Sequence, residues 1–279
     1  MIKTVRIQTL EEISEIIFDQ TYDSDLQRNR SPFLYRGLPN KNFRLATGLQ
    51  RNCGEKSEQI ERSILRNFTK YASINDPALE KSVWRQLIIG QHHGLPTRLL
   101  DWTYSPLVGL HFATSGEDLS KMNENDAVLW KIDIDEMNGL LPEKYRNTLY
   151  KENAHLFTVG MLSSITDNVR SFEDSIAEYD YDMEDRAIVL LEPPSIDQRI
   201  INQYSYFSII PKKIKDIETF FDNYTSNTVK YCIDKNLKWR IRDMLDQMNI
   251  NERTVYPGLD GLTTWIKRHF YVKDCKNQH

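Results

Sequence analysis

Segments with helical periodicity stand at both ends of this chain, and most runs with strand-like composition fall between them. Thr9 is placed to cap a first helix over residues 8–20, whose apolar residues Leu10, Ile13, Ile16 and Ile17 share one face. The same spacing puts Ile60, Ile64, Phe68 and Tyr71 on one side of 57–73, and Leu79, Val83 and Leu87 on one side of 78–92. A further helix starts at Pro106, a residue suited to a first helical turn. Strand composition marks 33–37, 127–133, 186–191, 204–210 and 229–233; helical patterns return over 237–248 and from Leu262 on. Helices first, then strands, then helices is not the alternation of a doubly wound fold. The order predicts an α+β protein with a mostly antiparallel central sheet flanked by helices.

Of 279 residues, 40% are hydrophobic, enough for one buried core. The expected organisation is an N-terminal helix and lead-in over 1–30 followed by one domain over 30–272. No apolar run approaches the ~20 residues of a membrane span. The first residues lack the apolar core of a signal peptide, so a cytoplasmic protein with no membrane partner is expected. Cys53, Cys232 and Cys275 are too dispersed for a disulfide framework and read as free thiols. The acidic stretch 173–185 reads as a solvated loop. A net charge of −4 argues against a general nucleic-acid binder.

The densest polar segment is 91–106, with Gln91, His92, His93, Gly94, Pro96, Thr97, Arg98, Asp101, Thr103, Tyr104, Ser105 and Pro106. Adjacent histidines do not share a helix face, and no glutamate sits between histidines four apart, so no metal is expected. His93 is placed either to bond a ligand or to end the helix before Gly94. Arg98 and Asp101, three apart in what reads as a short turn, suit a buried pair that shapes the loop. Thr103, Tyr104 and Ser105 precede a helix N-terminus, where hydroxyls and free amides suit a phosphate or ribose; for Ser105, plain N-capping is the alternative. Arg36 sits in the apolar run Phe33-Leu34-Tyr35-Arg36-Gly37, and Gly37 permits close backbone approach, as at a ligand-binding strand. No dinucleotide fingerprint, P-loop or nucleophile elbow is present.

Tyr35-Arg36-Gly37, the segment 91–106 and Leu110-His111-Phe112-Ala113 together resemble the FRG domain, a family named for its F/Y-R-G motif. Pro193-Pro194, Arg199, Gln203 and Phe207 are similar to a later motif of that family. Tyr256-Pro257-Gly258-Leu259-Asp260-Gly261-Leu262 resembles its C-terminal signature, so the resemblance spans about 30–270. The family occurs mainly in bacteria and their phages. The order of elements also resembles an ADP-ribosyltransferase, and that resemblance implies a mechanism. Arg36 and Gly37 would stand on the first strand and hold NAD. Thr103, Tyr104 and Ser105 would precede the helix, with Tyr104 stacked on nicotinamide. Gln203, on a late strand, would orient the ribose.

The implied catalytic residues are Arg36, Tyr104 and Gln203. The implied NAD-binding residues are Tyr35, Arg36, Gly37, His93, Arg98, Thr103, Tyr104 and Ser105. The expected function is an NAD-using transferase or NAD glycohydrolase, a bacterial or phage toxin or defence effector. Its partners would be a small-molecule nucleotide and a protein or nucleic-acid target. A carboxylate would steady the oxocarbenium-like ribose better than the Gln203 amide. Two other readings stand beside this one: a non-catalytic ligand- or protein-binding module, and an enzyme acting on nucleic acid.

Overall fold

The computed structural model describes residues 1–116, 118–166 and 172–273. In chain order the strands are β1 (Lys3–Ile7), β2 (Thr21–Asp23), β3 (Arg28–Arg30), β4 (Phe33–Leu38), β5 (Leu99–Thr103), β6 (Ala127–Asp133), β7 (Val189–Leu191), β8 (Ser205–Ile209) and β9 (Val229–Ile233). Seven of them form one sheet in the order β1-β9-β6-β4-β5-β8-β7, and β2 and β3 form a separate hairpin. Only β1 runs parallel to its neighbour, β9; every other pairing in the sheet is antiparallel. The mostly antiparallel sheet flanked by helices is the one the order of elements predicts.

Alternation along the central strands sorts their side chains between two faces. Leu34, Leu100, Trp102 and Trp130 meet Ile214, Phe220 and Phe221 on one face. Tyr35, Leu129, Tyr231 and Ile233 meet Leu110 and Ala113 on the other. A third cluster joins Leu99, Phe207 and Ile209 to Leu87, Ile88, Tyr145 and Tyr179.

Five helices bear on the site: α1 (Leu10–Ile17), α2 (Gly48–Cys53), α3 (Ser57–Ala72), α4 (Val83–His92) and α5 (Pro106–Ala113). Thr9 caps α1 through a full capping box with Glu12. Ser105 caps α5 with Pro106 in the first turn. On α5, backbone lies directly against β4. A Cβ on Gly37 would come within 2.0 Å of the Gly109 carbonyl oxygen and 2.3 Å of the Ala113 nitrogen. The bare Cα of Gly37 therefore admits the close approach of α5.

Several expectations need correction. Residues 99–103 form a strand, not a turn, with flanking residues buried on both sides of Asp101. The segment read as a helix over 78–92 begins as a tight turn at Pro77–Lys81, and α4 starts only after the cap Ser82. The acidic stretch 173–185 is not a solvated loop: most of it belongs to the helix Phe172–Met183. Tyr179 and Met183, four apart, bury its inner face, and Asp180 is buried with them beside an arginine. Counting charges hid that apolar stripe. β1 and the β2–β3 hairpin, too short and polar to read, are additions. Cys53 and Cys232 are free; Cys275 lies outside the described residues. Among those residues no helix is long and apolar enough to cross a membrane.

Candidate functional site

β4 and β6 pair over six residues, but β4 and β5 share a single register pair, Tyr35 with Thr103. Beyond it the strands separate and the sheet forks. Arg36, the next residue on β4, enters the fork: its Nη1 donates to the Asp101 carbonyl at 2.7 Å and lies 3.4 Å from the Asp101 carboxylate. The Arg36 side chain is 14% exposed and that of Asp101 is 51% exposed. Burial lowers the pKa of Arg36; Asp101 opposes that shift and the like charge of Arg51 adds to it. Its Nε is buried with no hydrogen-bond partner among the described residues. A buried donor left unmade costs roughly 1–3 kcal/mol. Arg36 is thus a cation short of both charge compensation and an acceptor.

Asp101 is fixed from the far side. Gln91, in the last turn of α4, donates from Nε2 to the Asp101 carboxylate at 2.9 Å, and its own Oε1 accepts from Thr97 Oγ1 at 2.6 Å. The bond to Thr97 orients the Gln91 amide so that its NH2 must face Asp101. Gln91 and Thr97 were in view in the sequence, but nothing local distinguished their roles.

An open cleft of about 1110 Å³ adjoins the fork, walled by α2, the start of α3 and the segment 210–218. Arg36 and Arg98 both line it, with Arg44, Arg51, Lys212 and Lys215 around them and Glu55, Glu58, Glu61, Asp216 and Glu218 interleaved. Several of these charges are already matched. Arg44 meets Asp216 at 2.9 Å, and Lys215 meets Glu58. Arg44, Arg51, Lys212 and Lys215 were missed in the sequence, because they lie in segments far apart in the chain and meet only in this wall.

Arg98 does not pair with Asp101. It makes a two-pronged contact with Glu61 on α3, at 2.7 and 2.5 Å, and reaches Asp180 at 2.7 Å. All three are buried, and although burial works against the charge, the two carboxylates overcome it and push the Arg98 pKa up. Arg98 is the anchor that ties α3 and the helix Phe172–Met183 to the sheet.

The remaining residues singled out in the sequence do not gather around Arg36. Tyr35 is 1% exposed in the core under α5. Thr103, paired with Tyr35, faces α5 as well, opposite to Arg36; its Oγ1 donates to the Gln203 carbonyl at 2.7 Å. Gln203 does not lie on a late strand but ends the helix Gln198–Asn202, just ahead of β8, and its Nε2 donates to the Val255 carbonyl at 3.2 Å. Tyr104 shares the face of Arg36 but stands beyond the closed end of the fork, where its hydroxyl donates to the Ser31 carbonyl at 2.5 Å. Ser105 is the cap of α5, as its simpler reading held. His93 is the exposed C-cap of α4. The three strands concerned are adjacent all the same: β4 with Arg36, β5 with Thr103, β8 entered through Gln203.

Distant motifs also converge near Asp101. His92 contacts Asp197, the cap of the helix Gln198–Asn202. The Arg199 guanidinium lies over the Tyr256 ring at 5.2 Å, and Asp101 is among the charges that act on Tyr256. Among the described residues, no three His, Cys, Asp or Glu side chains are grouped to hold a metal ion.

Residues 31–122 match the family model of the FRG domain. The matched segment contains Tyr35-Arg36-Gly37 and all of 91–113, that is, both arms of the fork and the Gln91–Thr97 brace, and supports the FRG family for this part of the chain. The motifs at 193–207 and 256–262 lie beyond it. No curated protein and no solved structure matches the chain.

Proposed function

We propose that the cleft beside Arg36 binds the diphosphate of NAD, and that the protein is an ADP-ribosyltransferase-like enzyme acting as a transferase or NAD glycohydrolase. One observation carries this reading: a mostly buried arginine at a fork in the sheet, with an unpaired Nε and a like-charged Arg51 nearby, lines a cleft of about 1110 Å³. An anion there would relieve the repulsion and accept the unmade hydrogen bond, and charge-assisted bonds of this kind are among the strong ones. Adjacency of β4, β5 and β8 supports the same reading, because the sequence resemblance distributes its site over a first strand, a segment before a helix, and a late strand. Gln203 enters this scheme as a positioning residue for the start of β8, since its side-chain amide is committed to Val255.

The experiment measures NAD-induced stabilisation and release of labelled nicotinamide from purified protein, alone and with cell lysate. A ligand at a hundred times its Kd adds about 2.7 kcal/mol to the folded state, so binding is read as a rise in melting temperature. Arg36→Ala should abolish that rise, and wild-type protein should release nicotinamide. A second reading, a ligand-binding module without turnover, is favoured by the buried and occupied amide of Gln203; it predicts stabilisation by NAD with no nicotinamide released. Neither stabilisation nor release would overturn both. Action on nucleic acid, the third reading, would show instead as binding that weakens steeply with salt.

A further inference from the structure

One wall of the cleft beside Arg36 is built by α2, which is seated on the approach to β5. The Leu49 N–H donates to the Thr97 carbonyl at 3.0 Å, and a Cβ on Gly48 would lie 3.3 Å from the Pro96 Cα. Thr47 and Gln50 form a capping box at its start, and Gln50 Nε2 donates to the Ile214 carbonyl at 3.3 Å. Arg51, one turn further on, is thereby held at the cleft. It donates from Nη1 to the Ala46 carbonyl of its own loop at 2.6 Å, and among the described residues it meets no carboxylate. Its charge acts on Arg36. Other cations of the wall are answered: Arg44 by Asp216, Lys215 by Glu58, and Arg98 by Glu61 and Asp180. Arg36, beside the half-exposed Asp101, and Arg51 are thus two guanidiniums that share one space with little to neutralise them.

An aromatic ring stands further along the same cleft. Arg36 and Leu38 alternate on β4, so they share a face roughly 7 Å apart, and both line the cleft. Past Leu38 the chain turns back: the Phe43 N–H donates to the Asn40 carbonyl at 3.0 Å, and the Asn42 N–H to the Asn40 side chain at 2.9 Å. Lys41 fastens this turn to Asp126, through the main chain at 2.7 Å and through the side chains at 2.9 Å. The turn sets Phe43 in the cleft wall with 54% of the residue exposed, whereas Leu45 and Leu49 of the same wall are buried.

We infer that the cleft takes a nucleoside diphosphate, with the two phosphates between Arg36 and Arg51 and the base stacked on Phe43. The inference rests on the NAD reading above and assigns the ADP half of NAD to this side of the cleft. Planar guanidiniums suit phosphate oxygens, which accept two N–H bonds from each fork. The order along the cleft follows the order of the ligand: a cation at Arg36, an apolar step at Leu38, an aromatic ring at Phe43. Stacking of a base on an aromatic side chain is worth roughly tenfold to a hundredfold in affinity. The neutral, two-ring adenine offers Phe43 a larger face than nicotinamide does. Phe43 is then a specificity-determining residue, and Arg51 is the second ligand of the diphosphate.

The test titrates the full chain with ADP and with inorganic pyrophosphate, below the melting temperature, in wild type, Phe43→Ala, Phe43→Trp and Arg51→Met. Wild type should bind ADP at least tenfold more tightly than pyrophosphate. Phe43→Ala should lose most of that margin with pyrophosphate binding unchanged, and Phe43→Trp should keep it. Arg51→Met should weaken both ligands by about tenfold or more, as loss of a charge-assisted bond does. The Phe43 side chain lies outside the core, so its variants decide even if Arg51→Met fails to fold. Equal affinity of wild type for ADP and pyrophosphate, or a margin intact in Phe43→Ala, overturns the role of Phe43. Wild-type affinities in Arg51→Met overturn that of Arg51. Nicotinamide mononucleotide binding that depends on Phe43, beside ADP binding that does not, overturns the assignment of the ADP half. Any of these results together with stabilisation by NAD leaves the NAD reading standing. ADP binding through Phe43 without NAD binding or nicotinamide release supports the nucleoside diphosphate site and removes that reading instead.

Discussion

Arg36 and Asp101 meet across a fork in the sheet, the guanidinium 2.7 Å from the aspartate's main-chain oxygen and 3.4 Å from its carboxylate. Sixty-five residues separate them in the chain. Their strands are held together by one register pair just behind the contact, so the arginine fills the gap that the missing ladder would have closed. A charge kept in so incompletely compensated a place costs stability.

Arg36→Met should therefore leave folding nearly intact. The partner carboxylate is half in water, and such pairs contribute ~1 kcal/mol or less, while the apolar stem of methionine replaces the buried part of arginine. Chemical denaturation should show a change within about 1 kcal/mol, with stabilisation by NAD lost. A drop of several kcal/mol would mean that Arg36 is a structural residue.

Arg98 should behave in the opposite way. Removing it leaves Glu61 and Asp180 buried without a counter-charge, and breaking a buried pair from one side costs about 3–5 kcal/mol. Arg98→Leu is expected to lower stability by that much or to prevent folding. Arg98→Lys should recover only part of it, because one ammonium does not reproduce the two-pronged contact with Glu61 and the bond to Asp180 together.

Gly37→Ala tests the contact between β4 and α5. The added methyl would strike backbone atoms on α5 at 2.0 and 2.3 Å, which no rotamer change relieves. Overpacking of this kind costs about 1–3 kcal/mol or more. Thermal unfolding should show the loss, whereas Gly139→Ala, where nothing lies within 4 Å, should not.

Acid stability should be governed by the cluster behind α5. His111 is fully buried, and its Nδ1 lies 2.8 Å from Arg242 Nη1, so the ring is neutral with its proton on Nε2. Burial, with Arg242 adding to it, lowers the His111 pKa from 6.5 to about 3. Between those values the unfolded chain takes up a proton that the folded chain refuses, so stability falls on acidification by about 1.4 kcal/mol per pH unit. Glu252 acts in the same direction lower down. Burial would raise its pKa, but hydrogen bonds from Arg268 and the charge of Arg242 outweigh that and hold it at about 2. Its contribution is present above 4.5 and is lost as pH falls through about 2. Denaturation midpoints measured from pH 7 to 4.5 should decline in wild type and flatten in His111→Gln; an equal slope in both would exclude His111 as the source.

Caps and periodicity are local, so the sequence by itself determined α1 behind Thr9, α5 behind Ser105 and Pro106, and the strands 127–133 and 229–233, with their order along the chain. It also marked Arg36 and Asp101 as chemically notable. Only tertiary structure decided which carboxylates Arg98 would meet, because Glu61 and Asp180 lie 37 and 82 residues from it. The acidic helix Phe172–Met183 reads as solvated until the core that receives Tyr179 and Met183 is in place. The fork is likewise a property of the assembled sheet. Residues 99–103 become a strand only because β8 pairs with all five of them, while β4, on the other side, lets go after one. Hydrogen bonding between strands is a relation among distant segments, and no window of sequence contains it.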